Sequence, residues 1–302
     1  MIPKRIFYVW GAGEKKRRDV QVCIQTWRQT MPDYEIVELN EDDKTYFDYE
    51  KEIQENKWFR TVYENKLWAY VADYIRIKVL HDHGGIYFDT DVSAVKPLDK
   101  FLSDECFVGM QDENYVEPAI LGAQKGNAFL KKVLDFYNDG IWKLPIFTMP
   151  QIFQHFLTGE YSVNAFPDKP NQKVMKLKDI TIYPERFFIP FRYKGEFTPE
   201  CIEKDTHTIH WFGGSWLKPE VIDWLMNKHI NPDTKLLKIE RPFANKRFCL
   251  FGRTTVLKIA KYKTKSIVYF LHIPIFTADE NKGIYLFKYL RLFKAKKEKK
   301  EI

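Results

Sequence analysis

The pattern of apolar and polar positions at the start of the chain predicts a strand, then a helix, then a second strand. Residues 4–10 form an apolar strand, which Gly11-Ala12-Gly13 ends in a loop. Residues 17–30 carry an apolar stripe at helical spacing, and a turn at Pro32-Asp33 leads into a strand at 34–39. This order predicts a β-α-β unit, the beginning of a doubly wound α/β sheet.

A long apolar helix and a short strand follow further along. Residues 65–83 contain no Gly or Pro and are apolar on most helical faces, which predicts a buried helix. Gly84-Gly85 can adopt the positive φ that lets a helix stop and reverse at once. The run 86–88 predicts a strand, and Asp89 and Asp91 follow at its end. Because ligands of open α/β sheets bind at the carboxyl ends of strands, we expect the site here.

Asp89 and Asp91 are spaced i and i+2, so both side chains project to the same side, roughly 7 Å apart at the backbone. Such carboxylates repel each other unless a cation compensates them. Mn²⁺ or Mg²⁺, held by oxygen ligands and by substrate phosphates, would do so. An isolated Asp-x-Asp is common in solvated turns, but the apolar strand and the double glycine before this one favour a metal site.

Asp73 and Arg76 interrupt the apolar helix at i and i+3, so they lie on one face within reach of each other. Charges in a buried helix need a partner or a ligand. They either form an internal ion pair or bind a sugar, with Asp73 accepting from hydroxyls and Arg76 facing an oxygen. Proximity to Asp89 and Asp91 favours the second interpretation.

These residues carry a family resemblance. The blocks Asp73-Tyr-Ile-Arg76, Gly84-Gly85-Ile-Tyr-Phe-Asp-Thr-Asp91 and Lys96-Pro97-Leu98 resemble the core of the glycosyltransferases with a DXD sugar-binding region, family 32. That family includes capsular and exopolysaccharide transferases and initiating mannosyltransferases, and is related to the catalytic domains of large glucosylating toxins. The resemblance covers roughly residues 1–217. Residue 7 is Phe where the family usually has His, and Met149 replaces a usual Gly.

The resemblance implies a GT-A type (Rossmann-like) nucleotide-sugar-binding domain with added helices and a retaining transfer reaction. It implies catalytic roles for four residues, of which the two DXD carboxylates also bind metal: Asp73, Arg76, Asp89 and Asp91. Its nucleotide-sugar contacts would add seven further residues: Tyr8, Trp10, Gly84, Gly85, Tyr87, Ser215 and Trp216. Trp10 could equally be a core tryptophan. His210, which lies in a predicted strand at 208–211, is either a structural histidine or the third metal ligand, and we expect the ligand.

Composition indicates a globular chain, with 302 residues and 45% hydrophobic content. Its four cysteines form no CxxC pair, which is typical of reduced core thiols. The start shows no signal peptide pattern, and no apolar run approaches the roughly 20 residues of a membrane span. We therefore expect a cytoplasmic protein.

Charge divides the chain unevenly. Residues 241–302 hold 16 Lys and Arg against 4 Asp and Glu, whereas residues 1–240 hold 32 against 37. Short aromatic-rich apolar segments at 266–276 and 284–293 lie among the basic residues, a pattern that suits interfacial membrane helices. A solvated basic face on ordinary helices is the alternative. Without a nucleic-acid-binding motif, we expect no nucleic-acid partner.

These observations predict two domains: a GT-A catalytic domain at 1–220 and a basic, helical, membrane-associating extension at 221–302. The expected activity is metal-dependent hexose transfer from a nucleotide sugar, UDP-linked in preference to GDP-linked. The expected acceptor is a lipid-linked oligosaccharide in capsule or exopolysaccharide synthesis, at the inner face of the cell membrane. Two alternatives stay open: a membrane-bound binding module with a degenerate site, and an effector that glycosylates a protein.

Overall fold

The computed structural model describes residues 1–168, 171–213 and 219–228, and six strands between 244 and 293. Its contacts divide the chain into two units, Met1–Leu236 and Leu237–Ile302.

The first unit is built on a mixed sheet of seven strands in the order β2-β1-β3-β6-β5-β8-β7, with a separate β4-β9 pair. The strands are β1 Arg5–Val9, β2 Glu35–Leu39, β3 Gly85–Phe88, β4 Val92–Ala94, β5 Cys106–Met110, β6 Val116–Ala123, β7 Met175–Lys176, β8 Thr181–Tyr183 and β9 Thr208–His210. β1 pairs in parallel with both β2 and β3, whereas β6 runs antiparallel to β3 and β5. The predicted α/β class and its opening β-α-β unit are confirmed.

Nine α-helices connect these strands within the described residues. They are α1 Arg18–Thr30, α2 Tyr49–Glu55, α3 Lys57–Glu64, α4 Trp68–His83, α5 Ala128–Asn138, α6 Gly140–Lys143, α7 Met149–Tyr161, α8 Glu185–Phe188 and α9 Pro219–Asn227, with 3-10 turns at Asp99–Phe101 and Pro199–Cys201. None of the helices in the described part of the chain combines the length and apolarity needed to cross a bilayer.

The central strand β3 is covered on both faces, which explains its uninterrupted apolar sequence. Ile86 and Phe88 belong to the core shared with α1, whereas Tyr87 belongs to the core shared with α4, α5 and α7. Since successive strand residues point to opposite faces, an apolar residue is required at each position.

The passage from α4 into β3 depends on two glycines. Gly84 has φ +68° and Gly85 has φ +135°, a region that side chains resist. A Cβ on Gly84 would lie 2.8 Å from the amide nitrogen of Lys125, and one on Gly85 would lie 3.0 Å from the ring of Phe7. This tight reversal sets where β3 begins, and hence where its carboxyl end presents Asp89.

The described residues of the second unit form strands. The predicted helical character of the extension at 221–302 is therefore wrong between 244 and 293, whereas its residues 221–227 lie in α9. The six strands β10 Ala244–Leu250, β11 Thr254–Lys261, β12 Lys265–Phe270, β13 Ile273–Asp279, β14 Gly283–Leu286 and β15 Leu290–Phe293 pair antiparallel in sequence order. The physical reason is visible in the sequence: β-branched and aromatic residues dominate the apolar runs, and Leu290-Arg-Leu-Phe alternates at the period of a strand.

Candidate active site

The two DXD carboxylates lie immediately beyond β3, on a turn held by backbone hydrogen bonds. The amide of Asp89 donates to the carbonyl of Ala119 on β6 (2.9 Å), and the amide of Val92 donates back to the carbonyl of Asp89 (3.1 Å). The amide of Gly213 donates to Asp91 Oδ2 (2.7 Å). Both carboxylates are therefore fixed at the predicted edge of the sheet.

His210 reaches this turn through the β4-β9 pair. Val92 and His210 are direct partners in that antiparallel ladder, and the amide of Trp211 donates to the carbonyl of Asp91 (2.9 Å). His210 Nε2 lies 3.4 Å from Asp91 Oδ1. One ligand atom from each of Asp89, Asp91 and His210 lies within 4.8 Å of the others. The structure thus brings together the three residues expected to bind metal.

The chemistry of this donor set suits Mn²⁺ or Mg²⁺, since it offers carboxylate oxygens and an imidazole nitrogen. His210 Nδ1 is buried and has no hydrogen-bond partner among the described residues. The other ring nitrogen, Nε2, faces Asp91 Oδ1 at 3.4 Å, so it can join the two carboxylates as a ligand. The residues present therefore fit a divalent cation.

Asp91 and His210 also stabilise each other's charged forms. Burial alone would raise the pKa of Asp91, but the interaction with His210 outweighs it and holds that pKa at about 2. Burial would lower the pKa of His210, but the nearby carboxylates, Asp91 first, raise it. Each group therefore favours the charged form of the other.

Arg76 occupies the other side of the site, where it is 4% exposed. Its Nη2 lies 3.2 Å from Asp73 Oδ1 and 2.8 Å from Asp89 Oδ1. Its Nη1 donates to the carbonyl of Pro118 (2.5 Å), and the guanidinium lies 4.5 Å from the ring centroid of Tyr87. Arg76 therefore links α4, β3 and β6 beneath the carboxylates.

The positive charge of Arg76 does not fully offset the burial of its two carboxylate partners. Burial raises the pKa of Asp73 to about 7, although Arg76 lowers it. Burial likewise raises the pKa of Asp89 against the attraction of Arg76. The site concentrates negative charge in a place of low solvation, which is a common property of functional sites.

Glu117 is a site residue that the sequence reading missed. It stands near the start of β6, and its Oε1 accepts from the amide of Ala119 (3.2 Å). Burial and the charge of Asp89 raise its pKa, while His210 and Arg76 lower it. Its only sequence signal is a single carboxylate before the apolar run 118–123.

Tyr8 and Trp10 lie on β1 and just beyond it, at the same edge of the sheet as Asp89. Tyr8 is buried and its hydroxyl donates to Glu38 Oε2 (2.6 Å). Trp10 is half-buried, and its Nε1 donates to the carbonyl of Glu14 (2.8 Å). Trp10 remains able to contact a ligand at this edge, whereas the Tyr8 hydroxyl is already engaged.

Three residues predicted to contact the nucleotide sugar have other positions. Gly84 and Gly85 lie at the opposite end of β3 from Asp89, where they serve the chain reversal. Tyr87 is 2% exposed and packs against Arg76. These three support the site without lining it. Ser215 and Trp216 lie outside the described residues.

Comparison with known proteins agrees with this geometry. Residues 17–108 match the family model described as "Glycosyltransferase sugar-binding region containing DXD motif", which includes α4, β3 and both DXD carboxylates. The resemblance drawn from residues 73–98 is therefore confirmed. The chain contains a sugar-binding region of the DXD glycosyltransferase type.

Individual relatives differ in the sugar that their names specify. The chain is 30% identical over 140 residues to inositol phosphoceramide mannosyltransferase 3 of Schizosaccharomyces pombe, a match that covers 44% of this chain and 36% of the relative. It is 24% identical over 132 residues to human alpha-1,4-N-acetylglucosaminyltransferase, covering 42% and 36%. The chain thus spans about a third of the length of these relatives. Among solved structures, PaToxG glycosyltransferase aligns with a TM-score of 0.42 at 20% identity, covering 53% of this chain and 70% of that one.

Proposed function

We propose that this chain is a metal-dependent, retaining glycosyltransferase that moves a hexose from a nucleotide sugar, UDP-linked in preference to GDP-linked, to a glycan acceptor. The observation that carries the proposal is the convergence of Asp89, Asp91 and His210 within 4.8 Å, beside the buried Asp73 and Arg76. The first three residues suit a divalent cation, and the charged groups beside them suit a sugar.

The donor end of the reaction follows from these groups. Asp89, Asp91 and His210 would hold Mn²⁺ or Mg²⁺, which when bound neutralises the diphosphate as it leaves the sugar. Arg76 keeps Asp89 in place through a 2.8 Å contact. Asp73, whose side chain is 18% exposed, presents a carboxylate that can accept from sugar hydroxyls and so orient the ring.

Retention of configuration does not require a protein nucleophile in this proposal. An acceptor hydroxyl can attack the same face from which the diphosphate departs, with the diphosphate taking the proton. The described side chains then need only orient the sugar and stabilise the developing charge. None of them is assigned as a nucleophile.

The proposed acceptor is a lipid-linked oligosaccharide of the kind used in capsule or exopolysaccharide assembly, reached from the cytoplasmic surface of the membrane. The excess of 16 Lys and Arg over 4 Asp and Glu in residues 241–302 supports this location, since basic segments are drawn to anionic lipid. The ceramide in the name of the fission yeast relative is also consistent with an acceptor at a membrane.

Flotation with anionic liposomes tests the membrane part. We expect intact protein to float, and Gln substitution of the five lysines within 294–300 to reduce flotation severalfold. Equal neutralisation of exposed lysines within 1–168 is the control. Equal flotation of both variants would contradict a role for the basic extension.

Nucleotide release from a panel of UDP- and GDP-sugars tests the enzyme. We expect nucleotide to be released from one donor in the presence of Mn²⁺. This release should be lost when EDTA is added and lost in the Asp91→Asn variant. Asp135→Asn, which changes an exposed carboxylate on α5, is the matched control and should retain activity. No release from any donor, together with no metal-dependent thermal shift, would favour a binding module with a degenerate site.

A further inference from the structure

A patch of five aromatic rings lies directly beside the candidate metal ligands. Its members come from two segments, the loop after α8 and the residues that follow β9: Phe191, Tyr193, Phe197, Trp211 and Phe212. Each ring packs on at least one other, with centroid distances from 5.0 to 6.0 Å. The ring of Phe212 also lies 4.3 Å from the ring of His210. The aromatic patch is therefore continuous with the site.

The aromatic patch is held rigidly although part of it faces solvent. Trp211 Nε1 donates to Ser93 Oγ (2.8 Å). Arg192, next to Tyr193, pairs with the fully buried Glu185 (2.8 Å) and with Glu113 (2.5 Å). Ordered side chains held in this way lose little conformational entropy when a ligand binds.

Two of its rings are exposed, which is uncommon for large aromatic side chains. Tyr193 is 45% exposed and Trp211 is 40% exposed. Phe212 has φ +52°, a conformation that bulky residues rarely adopt and that concentrates at functional sites. Exposed aromatic surface and a strained backbone next to a reactive centre together indicate a ligand surface.

We propose that the exposed rings of Tyr193 and Trp211 form the acceptor subsite and stack against a pyranose ring of a carbohydrate acceptor. This inference rests on the proposed function. A pyranose has an apolar C–H face and a rim of hydroxyl groups. The C–H face can stack on an aromatic ring, while charged groups beside that ring can bond to the hydroxyls. Here Arg192 provides charge beside Tyr193. Lys194 Nζ lies over the Tyr193 ring, 5.5 Å from its centroid, so a stacking sugar would displace this exposed side chain from the ring face. An acyl chain would instead be served by a continuous apolar groove.

Saturation-transfer NMR on the full chain tests the subsite, with octyl β-glucopyranoside below its micelle concentration as the probe. This molecule carries both a pyranose ring and an alkyl chain. We expect saturation on the ring protons, retained in Tyr193→Phe and reduced at least threefold in Tyr193→Leu. Leu keeps apolar area but has no ring face to stack. Saturation of the octyl chain alone, or equal signals from the Phe and Leu variants, would overturn the proposal.

A second measurement separates this inference from the proposed function. With the donor found in the nucleotide-release screen, Tyr193→Leu should raise the KM for a glycoside acceptor at least threefold, whereas Tyr193→Phe should not. If no donor turns over but the NMR pattern holds, the enzyme proposal fails and the carbohydrate subsite stands. If a donor turns over while KM is the same in both variants, the subsite fails and the enzyme proposal stands.

Discussion

Arg76 and His210 each contact one of the two DXD carboxylates, and they do so with different chemistry. Arg76 contacts Asp89 with a guanidinium that stays charged at any physiological pH. His210 contacts Asp91 with an imidazole that can lose its proton. One cation is a permanent part of the scaffold, whereas the other can give way to a metal ion, because metal binding requires a neutral imidazole.

The largest effect should come from removing the permanent cation. Arg76→Met leaves Asp73 and Asp89 without their partner and Pro118 without its donor, so we expect the free energy of unfolding to fall by roughly 3 to 5 kcal/mol. Urea unfolding measures it. Lys131→Met, which breaks an exposed pair with Asp135, should stay near wild type. An equally small change in the free energy of unfolding of Arg76→Met would contradict the view that Arg76 is a structural part of the site.

Removing the exchangeable cation should affect metal binding first. We expect His210→Ala to weaken Mn²⁺ binding at least tenfold, on the order of 1.4 kcal/mol, as measured by calorimetric titration. His207→Ala is the control, because His207 is also buried but its Nδ1 bonds to the carbonyl of Pro97 (2.7 Å). Equal Mn²⁺ affinity in the two variants would show that His210 is not a ligand.

Gly84 tests whether the chain reversal belongs to the scaffold. Gly84→Ala places a Cβ at φ +68° and ψ 163°, 2.8 Å from a backbone nitrogen, so we expect a loss of about 1 to 3 kcal/mol of stability. The donor KM of the folded fraction should stay close to wild type. A large rise in that KM, with stability unchanged, would show that Gly84 contributes to binding of the nucleotide sugar and not only to the fold.

The smallest effect concerns pH. With the pKa of Asp73 at about 7, its carboxylate is protonated as pH falls through that value and then accepts fewer hydrogen bonds from the sugar. Between pH 8 and pH 6.5 we expect kcat/KM to fall about fourfold from this group. The pH–rate profile of Asp73→Asn should lack that step. An unchanged step would assign it to another residue.

The part of the site that lies within one stretch of sequence could be predicted from the residues themselves, whereas His210 was expected only through the family resemblance and the more distant contacts were not predicted. Asp73, Arg76, Asp89 and Asp91 follow from a helix, a glycine turn and a strand in direct succession. The residues of the contact between Gly213 and Asp91 are 122 positions apart in sequence, and no local sequence pattern predicts this contact. Glu117 was missed because one carboxylate in an apolar strand has no motif.

The second unit shows a different limit of sequence reading. Its strands are only 4 to 8 residues long, a length at which periodicity separates helix from strand poorly. The basic residues between them suggested an amphipathic helix. The β-branched and aromatic content of β12 and β13 was the better indicator.

The β4-β9 ladder has a consequence for how the protein acquires its chemistry during folding. The two carboxylates sit on a turn formed by neighbouring elements, but His210 arrives only when a strand more than a hundred residues later closes against that turn. Contacts of such long sequence separation form slowly, because the loop between them must first be ordered. We therefore expect the proposed metal site to be completed late in folding, and an incompletely folded chain to bind the ion more weakly than the native one.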